Sequence, residues 1–285
     1  MLDRLRLQLA RRSVRLGLLA QAAAQQSGSP PDVSGTVSFD FAFGTIALDA
    51  HDDVIRPAIE SIGAWDPGGT AFLGRHVKAG MTVLDVGAHV GYHTCHAARL
   101  TGPTGLVLAF EPEPRNYELL LANVWRNGLG NVVCFPWAVT DAAGFAHLYL
   151  HPTNTGDHRL ADDGGRSSMP VRTVRLDDSL VVRPPVDVVK IDVQGGERAA
   201  VAGMAGLLGF SPNVRLTVEF WPYGIRRFGE DPREALHYYR SLGFTLEART
   251  IGDQKAIPMS DDAILELCDG GDDTLHVDLE LGRDT

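Results

Sequence analysis

"TVLDVGAHVGYHT", Thr82 to Thr94, joins an apolar run, an acid and two glycines, and its reading decides the fold. Thr82 to Val86 has the character of a strand buried on both faces, and the residues after Gly91 open a helix. Between them lie Gly87 and Gly91, with Asp85 just ahead of the first. The spacing departs from the three-glycine loop that rests a pyrophosphate on a helix end. Bare glycine backbone lets a ligand come close, and Asp85 offers its carboxylate to an ammonium group. The helix start at Gly91 favours a carboxylate on the same ligand. An amino-acid moiety has both charges.

Outward from this segment, strands and helices alternate. "GLVLAFEP", "NVVCFPWAV", "VDVVKIDV" and "VRLTVEF" read as further buried strands. Helices fall on "GYHTCHAARLTGP", "RNYELLLANVWRNG", "GERAAVAGMAGLL" and "DPREALHYYRSLG". "FTLEART" and "TLHVDLEL" read as a closing antiparallel pair. Right-handed crossovers turn such a series into an α/β, doubly wound, mostly parallel seven-stranded sheet, with ligands at the carboxyl ends of its strands.

The N-terminal side reads differently. Arg4, Arg6, Arg11, Arg12 and Arg15, with Leu2, Leu5, Leu9, Leu16 and Leu19 at helical spacing, make a basic amphipathic helix. A twin-arginine export signal, an interfacial membrane helix, and a helix packed on its own domain or on a second copy compete for it. Arg15 and Gly17 leave only a short apolar core for the first. "QQSGSPPDVSG" is a linker, and "VSFDFAFGTIALDAHDDVI" alternates like a hairpin that acts as a lid or collar. The expected division is an N-terminal region over 1–78 and a ligand-binding domain over 79–285.

Composition bounds the function. A chain of 285 residues, 44% hydrophobic, can bury a sizeable core, and its formal net charge of −10 argues against a nucleic-acid partner held by its phosphates. Cys95, Cys134 and Cys268 are odd in number and far apart, which suggests neither a disulfide framework nor a zinc site and points to a reducing cytoplasm. No stretch reaches the ~20 apolar residues of a membrane span.

Glu111, in "AFEPEP", stands where a doubly wound fold puts the acceptor for ribose hydroxyls. Amino acid and ribose together describe S-adenosylmethionine. At this point the chain resembles the class I methyltransferases, and more narrowly the FkbM-type family. The resemblance rests on "VLDVGAHVGYHT", "AFEPEPRNYELLLANV", "AVTDAAG", "NTGDHRL", "VRTVRLDDSL" and "VVKIDVQGGERAAVAGM" in that order, and spans Val83 to Gly243. It implies that Asp85, Gly87, His89 and Gly91 hold the methionine part of the cofactor and Glu111 its ribose. It further implies that Ala138 lies near the adenine with Asp141 close by, and Asp192 beside the transferred methyl. His89 stands where the family more often has Asn, and Gln194 where it usually has Glu. The second departure removes a charge and weakens the case for a carboxylate-bound magnesium, so metal dependence stays open.

The resemblance implies methyl transfer, which asks mainly that an acceptor be aligned at ~3–3.5 Å and stripped of water. An alcohol acceptor also needs a base, worth ~100-fold or more. His158 in "HPTNTGDHRL" is the first candidate, with Asp157 or Asp192 to orient it, and Glu219 is the other acid at the reaction face. Trp221 and Tyr223 could line an acceptor pocket. His51, His76, His93, His96 and His147 read as structural or surface groups. The expectation is an O-methyltransferase acting on a hydroxyl of a small molecule or glycan, with homo-oligomerisation through the N-terminal helix to be tested. N- or C-methylation, a nicotinamide-dependent dehydrogenase and a non-catalytic binding module are the alternatives.

Overall fold

The computed structural model describes residues 2–162, 164–179, 185–250, 255–268 and 274–283, with side chains from residue 13 onward. The amphipathic face expected over Leu2 to Arg12 therefore lies outside the described side chains. The chain begins with α1 (Leu2–Gln25), the hairpin β1 (Thr36–Phe41) and β2 (Gly44–Asp49), then α2 (Ile55–Ile62) and α3 (Pro67–His76). The alternating part follows as β3 (Thr82–Val86), α4 (Tyr92–Thr101), β4 (Leu106–Phe110), α5 (Pro114–Arg126) and β5 (Val132–Phe135). Next come β6 (Ala138–Val139), β7 (Gly144–Leu150), β8 (Ser167–Val174), α6 (Leu176–Ser179), β9 (Val188–Ile191), α7 (Glu197–Ala202) and α8 (Ala205–Gly209). The chain closes with β10 (Arg215–Phe220), α9 (Pro222–Arg227), α10 (Pro232–Ser241), β11 (Thr245–Arg249), β12 (Ile257–Pro258), α11 (Asp261–Leu267) and β13 (Val277–Gly282).

The main sheet runs β12-β11-β13-β10-β9-β3-β4-β5. From β5 to β10 every pair is parallel, and β13 inserts antiparallel between β10 and β11. The seven expected strands are all present, and the short β12 adds an edge. Chain order reverses between β3 and β9, so the carboxyl ends of these two strands form the crevice where an open sheet takes its ligand. Burial on both faces explains their composition. Leu84 and Val86 pack with Leu106, Leu108 and Phe110 in one core, while Val83 packs with Val107 and Ala109 in the other.

Two expected elements differ. "NVVCFPWAV" is not one strand: β5 stops at Phe135, Pro136 has no N–H for the ladder, and β6 crosses to a separate sheet ordered β6-β8-β7. "GERAAVAGMAGLL" splits into α7 and α8 at Gly203 and Met204.

Helices α3, α5 and α10 start alike: Asp66, Glu113 or Asp231 caps a free N–H, and the next residue is a proline. At the other edge, α1 covers β5. The Gln25 amide donates to the Cys134 carbonyl at 2.7 Å and accepts from the Cys134 N–H at 3.0 Å, pairing backbone groups that an open edge would leave exposed. Ala22 is fully buried, and Leu18 and Leu19 pack against the same core. The described end of α1 thus packs on its own domain. The hairpin turns Ile46 and Leu48 into the other core, and Asn123 of α5 pairs with both backbone groups of Ala47.

Candidate active site

The bend after β3 is bare for reasons internal to the protein. Gly87 has φ +79°, and a Cβ there would lie 1.8 Å from the Asp192 carbonyl oxygen. Gly91 has φ +90° and abuts Leu120 of α5, whose Cδ1 would lie 2.6 Å from such a Cβ. Both glycines let β3, β9 and α5 converge. Gly87 belongs to the wall of a cavity of about 700 Å³ at the carboxyl strand ends, whereas Gly91 and Asp85 do not. Asp85 lies behind the wall, 2% exposed: its Oδ2 accepts from the Thr94 hydroxyl at 2.6 Å, and its Oδ1 has no hydrogen-bond partner and lies 4.0 Å from Lys190 Nζ.

One end of the cavity is built by β3, β4 and β6. Glu111 follows β4, and its carboxylate accepts from the His89 N–H at 2.8 Å and the Glu113 N–H at 2.9 Å. Burial outweighs those bonds and pushes its pKa up to about 8. Trp137 and Ala138 line the same end, Trp137 stacked on Phe135 with ring centres 4.6 Å apart. Ala138 is thus in the wall, arriving from the small sheet. Asp141 stands outside the wall, where its carbonyl accepts from Arg175.

His89 is held at φ +50°. Its Nε2 lies 2.8 Å from Thr155 Oγ1, which in turn donates to Asp52 at 2.5 Å. That order of donation puts the ring proton on Nε2. Burial holds its pKa down at about 4, so the ring is neutral. Asp52 also caps α2 through the Val54 and Ile55 N–H groups.

The other end is polar and assembled from β9, β10 and the loop between β7 and β8. Lys190 of β9 sits 3.4 Å from Asp192 Oδ2. Burial alone would lower its pKa, but the carboxylates of Asp192, Asp85 and Asp66 outweigh it and hold the ammonium charged. Gln194, at φ +57°, donates to Asp192 Oδ1 at 2.7 Å and to Glu219 Oε2 at 3.0 Å. An amide supplies the donors those two acids need, which a glutamate would not. Burial, then the charges of Asp192, Glu197 and Asp278, push Glu219 well above the usual carboxylate range. Glu197 clamps the turn from below, its Oε1 accepting from the Val193 and Gly195 N–H groups.

The structure separates the expected proton acceptors by their bonds. His158 is in the wall, but its Nδ1 accepts the His151 N–H at 3.0 Å, so its lone pair is spent and Nε2 carries the proton. Burial holds its pKa at about 4. Asp157 does not orient it: its Oδ2 is taken by Arg159 at 2.6 Å and Arg166 at 2.7 Å. His158 as it stands thus offers the cavity a donor, not a lone pair. Trp221 and Tyr223 do face the cavity, 5.4 Å apart by ring centre, with the Arg159 guanidinium 4.8 Å over Trp221.

Sequence reading missed two features. Lys190 was legible in principle, since a lysine inside a strand buried along its length requires charged partners. The pairing of His93 with Asp66, Nε2 to Oδ2 at 3.1 Å, had no sequence signal, because it joins α4 to the turn before α3. No cluster of three or more metal-ligating side chains is present among the described residues.

A model of the methyltransferase FkbM domain matches residues 85–246. No curated protein matches the chain. Among solved structures, an S-adenosylmethionine-dependent O-methyltransferase from Thermotoga maritima is similar at 13% identity and a TM-score of 0.47, over 87% of this chain and 78% of that one. A putative rRNA methylase from Clostridium thermocellum is similar at 13% and 0.47, over 76% and 93%. An O-methyltransferase from Bacillus cereus is similar at 14% and 0.44, over 83% and 92%. At such scores the family match and the cavity's own geometry decide the reading.

Proposed function

The chain belongs to the FkbM methyltransferase family, and from that premise we propose that it moves a methyl group from S-adenosylmethionine to a hydroxyl of a small molecule or glycan. The observation that supports this most is Glu111, a buried carboxylate at the end of β4 facing the cavity, which ribose hydroxyls would satisfy. The residues fit the cofactor: Glu111 takes the ribose, the backbone at Gly87 and His89 borders the methionine part, and Trp137 with Ala138 borders the adenine. Asp85 acts from behind, its unpartnered oxygen and Thr94 fixing the loop and Lys190.

S-adenosylmethionine supplies a methyl carbon already activated by its sulfonium. The chain's own part is alignment and drying. Asp192 is pinned by Lys190 and Gln194 at the polar end of the cavity, and His158 donates a hydrogen bond to an acceptor's oxygen. Trp221 and Tyr223 offer aromatic faces on which a sugar or ring can lie. The net charge of −10 favours such acceptors over a nucleic acid. Incubation with S-adenosylmethionine carrying a tritiated methyl, and with methyl hexosides, glycerol and simple phenols, tests this. Label appearing as a methyl ether is expected, and transfer only to amines or to none of these alcohols overturns it.

A further inference from the structure

The cavity holds five histidines, and their bonding patterns rank them as proton acceptors. His158 spends its Nδ1 on the His151 N–H, and His151 spends its own on the Asn154 N–H at 2.9 Å. A neutral imidazole has one lone pair, so neither has a basic nitrogen left. His276 donates Nδ1–H to the Thr274 carbonyl, and His89 donates Nε2–H to Thr155, so each keeps its other nitrogen. His93 differs from both: its two ring nitrogens are buried and neither makes an aligned hydrogen bond, and only Nε2 has a charged neighbour, a carboxylate oxygen of Asp66 at ion-pair distance, 3.1 Å. A carboxylate on one nitrogen fixes the tautomer, aims the other nitrogen, and stabilises the imidazolium that forms when that nitrogen takes a proton.

The chain makes room for this pair. Asp66 caps α3 with Oδ1, accepting the Gly69 N–H at 2.8 Å, and turns Oδ2 toward His93. A Cβ on Gly69 would lie 2.1 Å from that Oδ2 and 3.2 Å from His93 Cε1, so the helix start is open only because residue 69 is glycine. Asp66 is itself held in the unusual φ +38° conformation. A capping acid needs only one oxygen; the strain and the missing side chain are spent on placing the second.

We propose that His93 is the general base of this transferase and that Asp66 is its positioning residue. The inference rests on the O-methyl transfer proposed above. The acceptor's oxygen bonds to the methyl carbon as the methyl–sulfur bond breaks, with that bond's electron pair staying on sulfur, and the hydroxyl proton passes to Nδ1 of His93. Lys190 from β9 faces this dyad, as do His96 on α4 and, by way of Asp66, Asp278 on β13.

The test has an arm that needs no acceptor. Nitrogen NMR of the full chain with S-adenosylhomocysteine should show the His93 proton on Nε2, and a proton on Nδ1 overturns the inference. In the second arm, His93→Gln should keep its affinity for S-adenosylhomocysteine within about twofold, lower kcat on the best methyl hexoside by ~100-fold or more, and lose the acid limb of the pH profile. A kcat within a few-fold of the parent overturns it. Asp66→Asn keeps an acceptor for the α3 cap and should lower kcat by ~10-fold or more with little change in KM, so the dyad is testable even if His93→Gln does not fold. A parent protein that binds S-adenosylhomocysteine but methylates no alcohol refutes the O-transfer reading itself, a result distinct from an active His93→Gln.

Discussion

The end of the cavity at Glu111 and the end at Lys190 are made by the chain in different ways. The first is local: β3, its bend, β4 and the start of α5 lie within one continuous stretch, and Glu111 accepts from the N–H groups of His89 and Glu113 on either side of it in the chain. The second is a meeting of distant parts: β9, its exit and β10 supply Lys190, Asp192 and Glu219, α4 supplies His93 with Asp66 behind it from the turn before α3, and the loop after β7 supplies His158. A local end binds what its backbone shape dictates, while an assembled end can change its chemistry by single side chains.

Lys190→Met should break this contrast most visibly. It strips Asp85 and Asp192 of a buried counter-ion and should cost about 3–5 kcal/mol in denaturant unfolding. A loss under about 1 kcal/mol would mean that water screens the assembled end.

Glu111→Gln probes the local end with the opposite sign. The folded pKa of Glu111, about 8, lies above its ordinary 4.5, so the folded state binds the extra proton in between. Its contribution to stability is full below about pH 4.5 and is lost as pH rises through about 8. Glu197, raised to about 7, and Asp278, raised to about 6, act in the same direction. The parent should therefore lose stability over this window, and Glu111→Gln should flatten part of the decline, as read from melts at several pH values. An unchanged slope would remove Glu111 as the source.

Gln25→Ala, far from both ends, should cost only about 1 kcal/mol by opening the edge of β5, with cofactor affinity unaltered.

The same contrast explains what could be read from residues alone. The order of buried strands, the closing pair of β11 and β13, and the acid after β4 were legible because each depends on neighbours in sequence. The break at Pro136 was present as a proline inside an otherwise strand-like run, and its meaning depended on the small sheet that receives β6. That Thr94 and Lys190 are the neighbours of the Asp85 carboxylate depends on α4 and β9 meeting behind the bend, which residue order alone does not show. His158 looked like a base by its polar loop; only the hydrogen bond from His151 shows that its lone pair is spent. Asp66 and His93 come from separate elements, and nothing in their spacing announces the pair.

Calorimetric titration of S-adenosylhomocysteine into the parent chain and into Glu111→Ala tests the central claim most directly. The account predicts a single site in the parent, weakened ~10–100-fold by the substitution through loss of the hydrogen bonds to the ribose. Equal binding by both, or binding of NAD with none of S-adenosylhomocysteine, would contradict it.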